Sequence, residues 1–330
     1  MRKASPFKTT VDYQTANGTA SQMTDYNFAA GRLSFAAGET SRTISILIND
    51  DAKVEGTETF TVSLSNPSGA TLGTPAIAAI QILDNSPEST TNVIDNPATF
   101  VCQQYHDFLN RDPEPGGFAG WQNILNTCSQ SGKDANGNFC DRVEISSAFY
   151  RSEEFQIRSY FLYRFYAVAL GRPPHYQELM MDLSRTTGFL TDQQIESGKV
   201  AFINEFMSRQ EFKSKYDSLT DPAAYVNALI NSANVALSNK QSLIDDLAQG
   251  RKTRAEVLRA IVENPEVTAR FYKEAFVVEE YFGYQYFGYL RRDPDILYLN
   301  WIQTFNQTND YRILVNGFMN SQEYRQRFGP

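Results

Sequence analysis

The hydrophobic pattern of this 330-residue sequence changes its period near residue 90. In residues 43–48 and 59–64 alternate side chains are apolar, and residues 77–83 form a third apolar segment. A period of two is typical of half-buried β-strands, and turn-forming pairs such as Asn17-Gly18 separate the segments. We therefore predict an antiparallel all-β sandwich over residues 1–88.

Beyond residue 90 the apolar residues recur at helical spacing. Val101, Tyr105 and Phe108 lie on one face of a predicted helix. A tyrosine followed six residues later by Arg-Asp-Pro occurs in residues 105–113 and 286–294, and residues 166–174 keep the same Tyr-to-Arg spacing. A second signature ends in Glu and an apolar residue, as in Glu211-Phe212, and occurs four times. Residues 98–330 are therefore predicted to form an all-helical domain of about four stacked repeat units.

Between the two patterns the chain is polar. Residues 84–92 contain Pro87 and show no periodicity, which is typical of a linker, and we place the linker at residues 89–97. Just inside the helical part, Asp112 followed by Pro113 predicts a capped helix start. The predicted architecture is thus multidomain, with an N-terminal all-β sandwich and a C-terminal all-α repeat domain.

The acidic residues of the first block are concentrated at predicted strand ends. If these ends meet at one pole of a sandwich, their carboxylates repel one another, and a hard cation with 6–8 oxygen ligands offsets that repulsion. The alternative is a solvated acidic hairpin loop without metal. The candidate metal ligands are Asp25, Asp50, Asp51, Glu55, Glu58 and Asp84.

Several segments of the first block resemble the Calx-beta domain. They include VDYQTANGTA at residues 11–20, INDDAKVEGTETF at 48–60 and LSNPSGATLG at 64–73, and the resemblance extends over about residues 10–86. It implies an immunoglobulin-like β-sandwich of the kind found in sodium–calcium exchangers and surface adhesins. Where that family binds calcium, its ligands fall on the same six acids of this sequence.

Three features depart from the Calx-beta pattern. The family's first strand precedes the position of Val11, where this sequence offers ten residues. Ala52 stands where a third acid often follows Asp50-Asp51, and the closing run Asp84-Asn85-Ser86 has one carboxylate. A site with fewer charges binds more weakly, so we expect calcium affinity near 10⁻⁴–10⁻³ M, about the weak end of the range. A domain kept as a structural spacer is the competing interpretation.

The repeated signatures of the second block resemble the bacterial DUF4214 domain. The resemblance is strongest at residues 105–121, 281–301 and 318–328 and weakest at 173–197. It implies an all-helical module of surface and secreted proteins and carries no enzymatic activity.

The three cysteines bear on the compartment. Cys128 and Cys140 flank a loop rich in Gly, Ser and Asn, and we predict a disulfide between them, with free thiols of a cytosolic protein as the alternative. Cys102 lies on the first predicted helix without an evident partner, and we expect it to be free and buried.

Composition excludes several classes of function. A net charge of −8 argues against nucleic-acid binding, and no apolar run approaches the roughly 18 residues that a membrane-spanning helix needs. Nucleophile-elbow, zinc-protease and phosphate-loop motifs are absent from the sequence, so we predict that the protein is not an enzyme. The aromatic run at residues 281–289 is typical of helical core, with sugar stacking as the alternative.

These observations predict an extracellular or cell-surface, bacterial, calcium-associated adhesion or binding protein, of which this chain is the C-terminal part of a longer exported protein. A protein or glycan at the cell surface is its expected partner. Two alternatives remain open: an exported scaffold that docks a protein partner through its helices without metal, and a carbohydrate-binding protein.

Overall fold

The computed structural model describes residues 5–85, 90–185, 190–275, 285–296 and 298–329. Residues 1–4 and 86–88 of the predicted sandwich, residue 89 of the predicted linker and residues 281–284 of the aromatic run lie outside the described residues.

Four antiparallel strands form the N-terminal sheet in the order β2-β1-β3-β4. The predicted strands are confirmed: residues 59–64 lie within the third strand, and the fourth covers residues 77–82 of the predicted 77–83. In the centre of the sheet, Tyr13 of β1 pairs with Gly31 on one side and Leu64 on the other. The strands are β1 (Thr9–Asn17), β2 (Ala30–Phe35), β3 (Glu58–Ser68) and β4 (Ile77–Ile82).

The strand predicted at residues 43–48 is not one of the four strands of this sheet. Ile48 forms an isolated bridge with Tyr26, and the carbonyl of Leu47 accepts the backbone N–H of Asn27 at 2.8 Å. Ile46 packs on the core cluster of Ala20, Tyr26 and Phe60, whereas Ile48 is exposed. In that cluster the rings of Tyr26 and Phe60 stack with their centroids 4.2 Å apart.

Helices follow the strands, so the predicted order of an all-β part and an all-α part is confirmed. The first eight are α1 (Pro97–Gln104), α2 (Pro115–Thr127), α3 (Arg142–Arg151), α4 (Glu153–Ile157), α5 (Ser159–Leu170), α6 (Tyr176–Leu183), α7 (Asp192–Ser208) and α8 (Gln210–Tyr216). The remaining described α-helices are α9 (Pro222–Ala233), α10 (Lys240–Ala248), α11 (Arg254–Val262), α12 (Pro265–Ala275), α13 (Tyr298–Thr308), α14 (Tyr311–Met319) and α15 (Gln322–Arg325). The described part of the chain also contains a 3-10 helix (Val93–Asp95) and two π-helices (Tyr105–Leu109 and Gln285–Tyr289), and the π-helices carry the first and last copies of the Tyr-to-Arg motif.

Each copy of the Tyr-to-Arg motif ends its helix in a left-handed residue. This residue is Asn110 (φ 48°), Gly171 (φ 74°) or Arg291 (φ 54°), which directly precedes the motif arginine. The motif arginines bind carboxylates: Arg111 pairs with Glu114, Arg172 with Glu178 and Glu211, and Arg292 with Glu323. Two of them thus reach a glutamate of the second signature, which links the two signatures within a repeat.

The chain divides into two compact units. Unit 1 comprises Met1–Ser146, Tyr289–Arg292 and Val315–Pro330, and unit 2 comprises Ser147–Gly288 and Asp293–Leu314. The composition boundary near residue 90 lies inside unit 1, so the division into domains at residues 89–97 stays a prediction.

The helical core of unit 1 is aromatic. Phe108 meets the ring of Tyr289 edge-on at 5.5 Å, Tyr289 meets Tyr324 at 4.6 Å, and Tyr324 meets Phe328 at 5.1 Å. Edge-to-face pairs at such separations contribute favourably beyond their buried area. Residues from the first motif, the last motif and the C-terminal segment therefore share one core.

The core of unit 2 forms around α5, in which nearly every residue is buried. Phe165 of α5 packs edge-on against Phe202 and Phe206 of α7, with centroids 5.1 and 5.8 Å apart. The helices in the described ranges include none long and apolar enough to cross a lipid bilayer.

The predicted disulfide between Cys128 and Cys140 is confirmed, with its Cα atoms 5.6 Å apart. It closes the loop that joins α2 to α3, in which Lys133 and Phe139 pair in a single bridge. Cys102 is free, as predicted, and it is half-buried rather than fully buried.

Candidate metal centre

The structure brings the predicted carboxylates to one pole of the β domain. They surround a cavity of about 310 Å³ between the loop after β1, the loop before β3 and the end of β4. All six predicted ligands line this cavity: Asp25, Asp50, Asp51, Glu55, Glu58 and Asp84.

Three of these acids form a tighter acidic cluster: Asp25, Glu55 and Glu58. Each offers a carboxylate oxygen, and these oxygens all lie within 4.8 Å of one another. Oxygens on opposite sides of a calcium ion are about 5 Å apart, because each calcium–oxygen distance is about 2.3–2.6 Å. The acidic cluster therefore has the dimensions of a calcium site, and its all-oxygen donor set is the one that a hard cation prefers.

Asp25 is the most deeply buried member of the acidic cluster, with 6% of its surface exposed. Its Oδ2 accepts the backbone N–H of Ser21 at 2.6 Å, whereas its Oδ1 has no hydrogen-bond partner among the described residues. A buried carboxylate oxygen without a partner is costly, so Oδ1 is suited to receive a ligand cation.

The local fold holds Asp25 in this position. A tight turn forms because the backbone N–H groups of Thr24 and Asp25 both donate to the carbonyl of Ser21. The backbone N–H of Asn49 donates to the carbonyl of Asp25 at 2.9 Å, beside the Tyr26–Ile48 bridge. The loop that carries Asp25 is thus attached to the loop that carries Asp50 and Asp51.

The other three predicted ligands also bind protein groups. Asp84 accepts the backbone N–H groups of Glu55 and Gly56 at 3.1 and 2.9 Å, which fixes the turn between Glu55 and Glu58. Asp51 accepts the N–H of Lys53 at 2.7 Å, and Asp50 accepts the amide of Asn85 at 3.2 Å. These carboxylates shape the acid-bearing loops around the cavity.

Charge crowding changes the acidity of the site. Burial, followed by the neighbouring charges of Asp25 and Glu55, raises the pKa of Glu58 to about 7. Burial and the charge of Asp51 raise the pKa of Glu55, although Lys53 lies 3.7 Å away as a counter-charge. Burial also raises the pKa of Asp51. The carboxylates thus gain from a cation that replaces their protons.

Arg291 and Asn49, which the sequence did not identify as site residues, hold the acid-bearing loops by hydrogen bonds. Arg291 is 2% exposed and donates hydrogen bonds to the carbonyl of Tyr26 at 3.0 Å and to Oδ1 of Asn49 at 2.9 Å. Asn49 directly precedes the Asp50-Asp51 pair, which was the available signal for its role. Arg291 is distant in sequence, and no local pattern pointed to it.

Comparison with known proteins is consistent with the resemblance seen in the sequence. Residues 3–86 match the Calx-beta domain family. Mouse sodium/calcium exchanger 1 is 33% identical over 123 residues, which cover 31% of this chain and 13% of the exchanger. The sodium/calcium exchanger Calx of Drosophila melanogaster is 42% identical over 76 residues, covering 23% and 8%. The mouse extracellular matrix organizing protein FRAS1 is 39% identical over 82 residues, covering 23% and 2%.

Solved structures of Calx domains are also similar to part of this chain. The apo-form Calx CBD1 domain is 38% identical, covers 26% of this chain and 76% of its own, and has a TM-score of 0.25. The calcium binding domain CBD12 of CALX1.1 is 39% identical, with coverages of 26% and 36% and a TM-score of 0.25. The chain spans 13% or less of the length of the three curated relatives above. The family match and the sequence identity to the exchangers together identify a Calx-beta domain at the N-terminus of this chain.

Proposed function

We propose that the Calx-beta domain binds calcium at its acidic pole and that the protein is a non-catalytic, calcium-associated binding protein. Asp25, Glu55 and Glu58 supply the first ligands, and Asp50, Asp51 and Asp84 complete the oxygen shell. The observation that carries the proposal is the convergence of Asp25, Glu55 and Glu58, each of which offers a carboxylate oxygen within 4.8 Å of the others. Asp25 is buried, and its Oδ1 has no hydrogen-bond partner among the described residues.

Calcium accounts for the electrostatics of the pole. Three carboxylates with raised pKa values surround a cavity in which Lys53 is the paired cation among the described residues. A divalent ion replaces mutual repulsion with attraction and satisfies the orphan oxygen of Asp25. The solved CBD12 relative is described as a calcium binding domain, which supports the same role here.

We place the protein outside the cell or at the cell surface, with adhesion as its role. Disulfides persist in oxidising compartments, and the Cys128–Cys140 pair supports export. The FRAS1 relative is described as an extracellular matrix organizing protein, which points the same way. The helical part, by its resemblance to DUF4214 modules, then presents the surface that meets a protein or glycan partner.

Calorimetric titration of the full chain with calcium tests the site. We expect binding in wild type and no binding in Asp25→Asn, which removes the buried anionic ligand. Asp217→Asn is the matched control, because this exposed carboxylate lies at the end of α8, outside the acid-bearing loops. Equal isotherms for wild type and Asp25→Asn, or no heat in wild type, would contradict the proposed site.

Stability gives a second readout. Calcium at about 100 times its dissociation constant adds about 2.7 kcal/mol to a domain that binds it only when folded. The melting temperature of wild type should therefore rise in about 10 mM calcium, if the dissociation constant is about 10⁻⁴ M. In Asp25→Asn the midpoint should stay where it is in chelator.

The adhesion role has its own test. The full chain is applied to arrays of cell-surface glycans and matrix proteins in calcium and in chelator. Calcium-dependent retention supports adhesion, whereas equal retention in chelator favours a metal-independent scaffold.

A further inference from the structure

An arginine from the last repeat motif holds together the two loops that carry the acidic cluster. The guanidinium of Arg291 donates to the carbonyl of Gln22 at 3.3 Å, to the carbonyl of Tyr26 at 3.0 Å and to Oδ1 of Asn49 at 2.9 Å. These partners are 242 to 269 residues away in sequence. Arg291 thus spans the turn around Asp25 and the loop that enters Asp50.

Asn49 passes this restraint to the ligands. Its backbone N–H donates to the carbonyl of Asp25 at 2.9 Å, and its Nδ2 donates to the carbonyl of Thr24 at 2.6 Å. Asn49 is therefore the single residue between Arg291 and Asp25, and it is bonded directly to Asp50 in the chain. A substitution of Arg291 that displaces Asn49 should displace both acids. Outer-sphere groups of this kind set the orientation of metal ligands.

The charge of Arg291 is balanced inside the protein. The carboxylate of Asp107, which is fully buried, lies 3.1 Å from Arg291 and 3.2 Å from Arg327. Arg327 also donates to the carbonyl of Tyr289 at 2.6 Å. These three side chains, Asp107, Arg291 and Arg327, form what we call the buried arginine cluster. The cluster fastens the last motif to the C-terminal segment and to the first motif.

The C-terminal segment also touches the acid-bearing loop directly. The carbonyl of Phe328 accepts the backbone N–H of Ala52 at 3.1 Å, one residue after Asp51. Arg291 itself has a left-handed backbone, φ 54°, which a residue other than glycine adopts where its surroundings hold it. The helical segments therefore meet the acid-bearing loops through Arg291, through Phe328 and through the carbonyl of His106, which accepts a hydrogen bond from Asn27 at 2.9 Å.

Resting on the calcium site proposed above, we propose that Arg291 is a positioning residue that couples calcium binding to the docking of segments 289–292 and 324–329 on the acid-bearing loops. Docked segments align Asp25 and Asp50 for the ion. By thermodynamic reciprocity, the bound ion stabilises the docked segments to the same extent. The calcium signal of the β domain thereby reaches helical elements at the far end of the chain.

Hydrogen exchange of the full chain with and without calcium tests the coupling. We expect calcium to slow exchange both in the loops at residues 21–27 and 48–58 and in segments 289–292 and 324–329. Protection confined to the loops would overturn the coupling and leave the calcium site standing. Absence of calcium heat and of protection throughout would overturn the calcium site and the coupling together.

Variants of two neighbouring arginines distinguish the positioning effect of Arg291 from the general effect of removing a positive charge. We expect Arg291→Met to weaken calcium binding about 10- to 100-fold, the range for outer-sphere partners of metal ligands. Arg292→Met is the matched control, because Arg292 makes an exposed pair with Glu323 and carries the same charge. Equal calcium affinity in Arg291→Met, Arg292→Met and wild type would overturn the assignment.

A metal-independent readout completes the test. In chelator, Arg291→Met should speed exchange at residues 21–27 and 48–52, whereas Arg292→Met should not. If Arg291→Met does not fold by circular dichroism, Asn49→Ala replaces it. Asn49→Ala removes the acceptor at the loop and leaves the Arg291–Asp107 pair intact, and we expect the same loss of affinity. Unchanged affinity and exchange in Asn49→Ala would overturn the coupling.

Discussion

Glu58 lies where burial and two carboxylate neighbours disfavour its charge, so its pKa rises to about 7 from the usual 4.5. The folded apo protein therefore holds a proton on this residue at a pH where the unfolded chain has released it. Raising the pH through this window favours the unfolded state, because that state binds fewer protons there.

The first prediction concerns this proton. In chelator, the stabilising effect of the Glu58 proton is present at pH 4.5 and is lost as the pH rises to about 7. Urea denaturation of wild type and Glu58→Gln at pH 5 and pH 8 measures it. The loss of unfolding free energy between these pH values should be smaller in Glu58→Gln. An equal loss in both proteins would contradict the raised pKa.

Calcium binding should depend on pH in the opposite direction to the stability of the calcium-free protein. The ion binds the carboxylate form, so calcium affinity should rise as the pH increases toward and past 7, and binding at pH 6 should release protons. Titration in two buffers of different ionisation enthalpy counts these protons. In Glu58→Gln the released number should fall.

The second prediction concerns Cys102. Burial and nearby carboxylates, with Asp112 first among them, raise the pKa of its thiol to about 11. At pH 8 about one thiol in a thousand is then ionised, and the thiolate is the reactive form. Iodoacetamide should label the native protein far more slowly than the urea-unfolded protein, as measured by mass spectrometry. Similar rates in both states would show that the thiol is accessible and ionised.

The sequence predicted that the acids gather at one pole, and they do so for two reasons. Glu58 begins β3 and Asp84 follows β4, whereas Asp25 and Asp50 flank the isolated Tyr26–Ile48 bridge between two loops. The sequence did not show which acids would coordinate an ion and which would accept hydrogen bonds from backbone N–H groups. Asp84 binds the N–H groups of Glu55 and Gly56, an arrangement that depends on the exact turn between them. The assignment of all six acids as ligands stays a prediction.

Among the elements, apolar alternation predicted where strands form better than it predicted their burial. In β3 Phe60 is buried, whereas Val62 and Leu64 are only partly buried, and in β4 every residue except Ile82 is exposed. In residues 43–48 Ile46 packs on the core cluster, whereas Ile48 is exposed. An alternating pattern shows which side chains can face a core, and it does not show how much of the chain covers them. The Asp112-Pro113 pair predicted a helix start, but α2 begins at Pro115 with Glu114 as its N-cap, and Asp112 pairs with His106 at 2.9 Å.

The third prediction concerns the loop between α2 and α3. The disulfide closes a loop with a sequence separation of 12 residues, and its loss should lower the unfolding free energy by about 2–3 kcal/mol through the larger entropy of the unfolded chain. Urea denaturation of a Cys128→Ser/Cys140→Ser double variant measures the change. Cys102→Ser, which removes no cross-link, is the control. Equal midpoints for wild type and the double variant would contradict the prediction.

At the scale of the whole molecule, the sequence patterns predicted the all-β and all-α parts separately. They did not predict that segments far apart in the chain share one core. Hydrophobic period, capping and motif spacing act over a few residues, whereas the Arg291–Asn49 bond joins residues 242 positions apart. Unit 1 accordingly takes its residues from three separate stretches of the chain. Single-sequence reasoning had no signal for that arrangement.

The fourth prediction tests this shared core. A fragment of residues 1–90 lacks Arg291, Phe328 and the carbonyl of His106, which accepts a hydrogen bond from Asn27 at 2.9 Å. We expect the fragment to melt at a lower temperature than the β domain in the full chain and to bind calcium more weakly. Equal calcium affinity in the fragment and the full chain, measured by titration calorimetry, would show that the β domain is energetically independent.

Asp107 serves two guanidinium groups at once, and this arrangement constrains how the protein can evolve. A neutral replacement at Asp107 would strand two buried cations, so a single substitution there should be disfavoured. Homologues that change position 107 should change positions 291 and 327 in the same lineage. Covariation across distant stretches of related sequences would then record this interior ion network.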